Sequence, residues 1–135
     1  MIDINKELED NGFDADEIQE ILEQMETGED EFEYGNYRFI NEEAIDDILT
    51  EELSSDTYIL GCFNDWFIAD ITGLGIDAVT KAQKDESYEL LGELMLQHID
   101  EVVDEYISSD GYGHHFSGYD GSEELIGDYY MFRVN

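Results

Sequence analysis

Apolar side chains recur at helical spacing along most of this chain, punctuated by Gly and Asn and never by Pro. Ile2–Asp10 predicts a short helix, ended by Asn11-Gly12. Ile18, Ile21, Leu22 and Met25 stand at i, i+3, i+4 and i+7, one face of a second helix capped by Asp14 or Asp16. Thr27–Glu33 is a charged loop, and Phe32–Ile40 interleaves aromatics around Gly35-Asn36, the pattern of a short strand or an irregular packed segment. Asn41 caps a third helix with Ala44, Ile45, Ile48, Leu49 and Leu53 on its inner side. Thr57–Ile71 (TYILGCFNDWFIADI) reads as a largely buried helix bent at Gly61. A buried strand is the alternative; the spacing of Ile59, Phe63, Trp66, Phe67 and Asp70 favours helix. Ile76–Gln83 is a short helix, and the longest one starts at Asp85 or Ser87 and runs to about Ile107. Its inner face holds Leu90, Leu91, Leu94, Met95, Ile99, Val102, Val103 and Tyr106. After the Gly-rich Asp110–Gly121, Tyr129–Val134 predicts a strand, with His114–Tyr119 as its hairpin partner. The expected fold class is mainly α (α+β): a compact bundle of about four to five helices around a buried central helix, with a small C-terminal β-hairpin. Residues 1–135 read as one acidic globular domain.

Charge changes the picture more than any motif does. Against 37 acids stand Lys6, Arg38, Lys81, Lys84 and Arg133, for a net charge of −32. Residues 1–56 hold 21 of the acids, residues 57–84 three and residues 85–135 thirteen, so an apolar centre sits inside an anionic shell. Most of these carboxylates lack an ion-pair partner, and their mutual repulsion opposes compaction. A hydrophobic fraction of 41% with 13% aromatics offsets it and argues for a folded core. Such a surface repels nucleic acid and anionic membrane faces and attracts basic surfaces, chiefly those of nucleic-acid-binding proteins. The lone Cys62 excludes an internal disulfide and suits a reducing compartment. Neither a signal-like basic n-region nor a membrane-spanning apolar run is present, so the reading is a soluble, cytoplasmic protein, monomer or homodimer.

Candidate chemistry is sparse. With this many acids, carboxylate pairs at useful distances arise by composition, and an acid/base pair needs one partly buried member. No D-x-D-x-D-G calcium loop, G-x-S-x-G elbow or Lys-bearing phosphate loop occurs. Cys62 lies in an apolar run, which suits an inert core residue. His114-His115, near Asp110 and Asp120, is the one cluster with transition-metal character, but adjacent strand residues face opposite ways. A hydrolase using His114 or His115 is therefore the third-ranked function. Ile68–Gln83 has a helix-turn-helix outline, but two lysines do not make a DNA-reading helix. The expectation is no catalytic residue, no metal and no cofactor.

The acid pattern itself is the better candidate. One helix displays Glu42, Glu43, Asp46, Asp47, Glu51 and Glu52; the long one displays Glu86, Glu89, Glu93, Asp100, Glu101, Asp104 and Glu105. Roughly 22 residues span about 33 Å, about one carboxylate per 4.7 Å of helix axis; one strand of duplex DNA has a phosphate per about 3.4 Å of axis. Two such helices would approach a duplex in charge density and engage a basic groove. The rival explanation is acidity for solubility or a salt-loving source. A second functional class is an acidic adaptor or assembly protein that binds through the aromatic C-terminus, Tyr112, His114, Tyr119, Tyr129, Tyr130 and Phe132.

From Tyr58 onward the chain resembles a group of small acidic bacteriophage and plasmid proteins of unassigned function, in FNDWFIADITGL, GELMLQHIDEVV and DGYGHHFSGYDGSEELIGDYYMFRVN. These pieces lie within Tyr58–Asn135, a stretch of a little over half the chain, and the tail is the most specific; the resemblance brings no catalytic residues. In size and composition the chain is also similar to DNA-mimic antirestriction and anti-CRISPR proteins. That likeness implies a non-catalytic inhibitor in the nucleic-acid groove of a restriction or CRISPR-type host protein.

Overall fold

Side-chain caps decide where several of the helices start. The computed structural model describes residues 3–135, so the predicted helix start at Ile2 lies outside the described residues. In chain order the elements are α1 (Ile4–Asp10), α2 (Ala15–Glu26), β1 (Glu31–Tyr34), β2 (Tyr37–Asn41), α3 (Ile45–Ser54), α4 (Thr57–Gly61), α5 (Asp65–Thr72), α6 (Ile76–Lys84), α7 (Tyr88–Leu96), α8 (Ile99–Asp110), α9 (Gly113–Phe116), β3 (Glu124–Ile126) and β4 (Tyr129–Arg133). The described residues are 57% helical, the mainly α, α+β class that the apolar spacing predicts. Asp3 accepts from the Lys6 amide at the start of α1; Asp14 and Glu17 form a reciprocal capping box on α2. Asp56 and Asn64 cap α4 and α5 in the same way.

Contacts divide the chain into two compact units, Met1–Ile45 with Asp110–Asn135, and Asp46–Ser109. The first unit is built on a four-stranded antiparallel sheet in the order β1-β2-β4-β3. Phe32 lies opposite Phe39, and Phe39 opposite Met131, while Ile126 pairs with Tyr129. These side chains form one core with Leu8, Phe13, Ile18 and Ile21 of the N-terminal segment. Phe32 and Phe39 stack at 4.7 Å, and the Tyr129 hydroxyl donates to the Glu29 carbonyl. Phe132 also is buried and meets Phe116 of α9. β4 matches the predicted C-terminal strand, but its neighbours differ from those expected. His114–Tyr119 forms α9 and a loop; β4 pairs with β2 and with the short β3. β3 and β4 form the local C-terminal hairpin, and the other edge of β4 pairs with Tyr37–Asn41, a non-local contact that local spacing cannot signal.

The second unit is helical, and two of its elements correct the sequence reading. Thr57–Ile71 is not one buried helix. α4 ends at Gly61, Asn64 turns extended, and α5 starts on its side-chain cap. The Gln83 amide donates to the Gly61 and Phe63 carbonyls, satisfying acceptors that the break would orphan. Leu60, Gly61, Ile68 and Ile71 are the buried members, while Trp66 is 70% exposed. The longest predicted helix is likewise two. The amide of Gln97 bonds back to the Met95 carbonyl as α7 closes; α8 starts anew, with the Val102 amide on the His98 carbonyl. Leu90, expected inside, is 58% exposed. The backbones of α4 and α7 meet closely: a Cβ on Gly61 would lie 1.8 Å from the Tyr88 carbonyl oxygen, and one on Gly92 1.7 Å from that of Thr57.

Candidate anionic interface

Helix boundaries distribute the predicted acids. Asn41 belongs to β2, and its side chain accepts from the Glu43 amide, so Glu42 and Glu43 sit in a turn ahead of α3 rather than on it. They belong to the sheet-bearing unit. Asp46, Asp47, Glu51 and Glu52 do ride on α3, exposed but for the half-buried Glu52, while Leu49 and Leu53 of the same helix are buried. Glu86 precedes α7 in a left-handed conformation with φ 61° and is not helical. Glu89 and Glu93 are four residues apart on α7, and Asp100, Glu101, Asp104 and Glu105 all lie on α8. The continuous seven-acid rod expected from the sequence is thus a turn residue and two separate helices.

α8 retains the pattern in its strongest form. At about 100° per residue, its four acids occupy an arc of about 140°. Val102, Val103 and Tyr106, all buried, take the other side. Neighbours at i and i+4 on this face are about 5–6 Å apart, near the spacing of phosphates along a strand. The helical unit holds sixteen acids against Lys81 and Lys84, so pairing within it leaves most carboxylates without a base. In the sheet-bearing unit Arg38 pairs with Glu31 and also lies 5.0 Å from the centre of the Phe116 ring.

Other candidate groups are positioned differently from their predicted settings. His114 and His115 are on α9, not in a strand; His114 is exposed, and His115 packs edge-on against Phe116. Among the described residues, no group of three His, Cys, Asp or Glu side chains is placed to hold a metal ion. Cys62 is exposed, not buried in a core. Of the aromatic tail, Tyr129 and Phe132 are 3% and 0% exposed and serve the sheet; Tyr119 is exposed, with the Arg133 guanidinium 3.9 Å from its ring centre.

Protonation equilibria are displaced at Tyr34, Tyr58 and Asp120. The Tyr34 hydroxyl donates to Glu20 at 2.5 Å, and this bond, with some desolvation and nearby carboxylate charge, pushes its pKa up to about 12. The Tyr58 hydroxyl is also pushed up, first by the charge of Cys62 beside it and then by desolvation. The carboxyl of Asp120 is held below the usual range because the Ser122 amide donates to it; desolvation opposes this, and the Ser117 hydroxyl adds to it.

Sequence reasoning missed the exposed apolar groups of the helical unit, Trp66 above all. The signal was present as Asn64-Asp65. A cap there starts α5 at Asp65, and with Ile68 and Ile71 inward Trp66 falls on the outer side. No helix among the described residues is long and apolar enough to cross a membrane. Comparison with protein-family models, with curated proteins and with solved structures gave no match.

Proposed function

We propose that the chain is a non-catalytic acidic DNA mimic that occupies the basic nucleic-acid-binding groove of a host defence protein, of restriction or CRISPR type, in the host cytoplasm. The observation that carries this reading is α8. Four carboxylates share one face at phosphate-like spacing, backed by a buried apolar face that holds the helix in place. The same helical unit carries further exposed acids on α3 and α7. Basic grooves are built to attract such charge, and the attraction speeds encounter and discriminates among partners.

The test uses the immobilised protein and lysate of a bacterium carrying restriction and CRISPR systems. Captured protein is expected to elute between about 50 and 200 mM salt, the range over which multiple phosphate-type contacts weaken by orders of magnitude. Duplex DNA is expected to compete for it. Capture indifferent to salt and to duplex would overturn the reading.

A further inference from the structure

We propose that the Trp66–Asp70 face of α5 is a docking site for an arginine side chain projecting from the partner's basic surface. The inference rests on the mimic reading and gives that interface an anchor. Trp66 and Asp70 are four residues apart on one helix, on the side opposite buried Ile68, and both are exposed. Side chains so spaced on a helix are neighbours, about 5–6 Å apart at Cβ. The indole is 70% exposed, so most of its surface is open to a partner. Asp65, whose carboxylate accepts from the Trp66 amide and from the Thr80 hydroxyl, holds the first turn that carries the indole.

Charge complementarity selects the occupant. A purely apolar partner would strip water from Asp70 and give nothing back. A second copy of the chain would bring −32 against −32. A cation satisfies both halves of the site, and arginine does so best. Its planar guanidinium stacks on the indole face, the strongest cation–π acceptor, and presents N–H groups to a carboxylate. Trp and Arg are also the residues that most often dominate interface energetics.

Trp66 is the sole Trp in the chain, so its emission reports this site directly. The probes are nona-arginine and nona-lysine peptides, titrated at about 50 mM salt with binding read by calorimetry and fluorescence. Nona-arginine is expected to shift or quench Trp66 emission at saturation. Trp66→Ala should weaken nona-arginine binding about tenfold, within the range of a desolvated cation–π contact, and nona-lysine binding by clearly less. Unchanged emission at saturation, or equal nona-arginine affinity in Trp66→Ala, overturns the proposal. So does an emission shift that follows protein concentration without peptide and coincides with a dimer in sedimentation. Asp70→Asn keeps the fluorophore and is expected to reduce the nona-arginine response; no reduction removes Asp70 from the site and overturns the two-residue proposal. Neutralising Asp100, Glu101, Asp104 and Glu105 separates the two readings. If that leaves binding intact while Trp66→Ala weakens it, the mimic reading fails and the Trp66 site stands; the reverse pattern sinks the Trp66 site alone.

Discussion

Gly61 and Gly92 are the residues on which the helical unit most depends for close approach. Each faces a backbone carbonyl that a methyl group would overlap, and backbone cannot rotate away as a side chain can. Gly92→Ala is expected to cost about 3 kcal/mol or more through forced separation of α4 and α7, read by chemical denaturation. Trp66 behaves oppositely. In the sequence, Trp66 reads with Phe63 and Phe67 as core burial that holds the repelling helices together, so that its loss should cost stability. With its side chain largely in water, Trp66→Ala should change stability by no more than about 0.5 kcal/mol, whereas Ile68→Ala, two positions on and fully buried, should cost about 2–5 kcal/mol. Tyr34 supplies a pH signature. Its neutral phenol donates to Glu20, and a phenolate there would face a carboxylate. The folded-state pKa of about 12 exceeds the ordinary 10.0, so this contribution is complete below pH 10 and is lost as pH rises towards 12. Tyr34→Phe should flatten the alkaline limb of a stability-versus-pH curve between those values.

At the scale of elements, capping chemistry was legible in part, since Asn41 belongs to β2 and the Asn64 cap went unread, and helix continuity was not. Asp14 with Glu17, and Asp56, mark starts that the chain uses. The inner faces of α2, α3 and α8 follow from three-to-four spacing because each packs one stripe inward. The break between α7 and α8 has neither Gly nor Pro at Gln97-His98, so nothing local announces it. The pairing of β2 with β4 joins residues some ninety positions apart, and such contacts leave no periodicity behind. The candidate site was legible as composition, but its geometry was not: the expected rod became separate helices and turn residues. That changes the functional expectation. Replacing Asp100, Glu101, Asp104 and Glu105 with their amides should weaken partner binding and flatten its salt dependence, since these four share one face. The same treatment of Glu42, Glu43 and Glu86, which are in turns, should do less. Equal effects would place the function in net charge rather than in α8.

For the whole molecule the two consequences of −32 run in opposite directions with salt, and that opposition separates a partner-directed surface from general acidity. Like charges in the folded chain repel, and salt screens them, so stability should rise with ionic strength. Partner binding is attraction between opposite charges, so the same salt should weaken it. The Debye length falls from about 30 Å at 0.01 M to about 8 Å at 0.15 M and about 3 Å at 1 M. Once it drops below the separation of neighbouring helical carboxylates, about 5–6 Å, further screening gains little. The melting temperature is therefore expected to climb by about 4 °C, equivalent to about 1 kcal/mol, and to level off near about 0.3–0.4 M. A protein made acidic for a saline interior would instead keep gaining stability into the molar range. Melting curves at ionic strengths from about 0.01 to 3 M decide between them. A plateau at a few tenths molar, with partner binding already lost there, fits acids arrayed for a partner. A continuous rise to molar salt would assign the charge to the solvent.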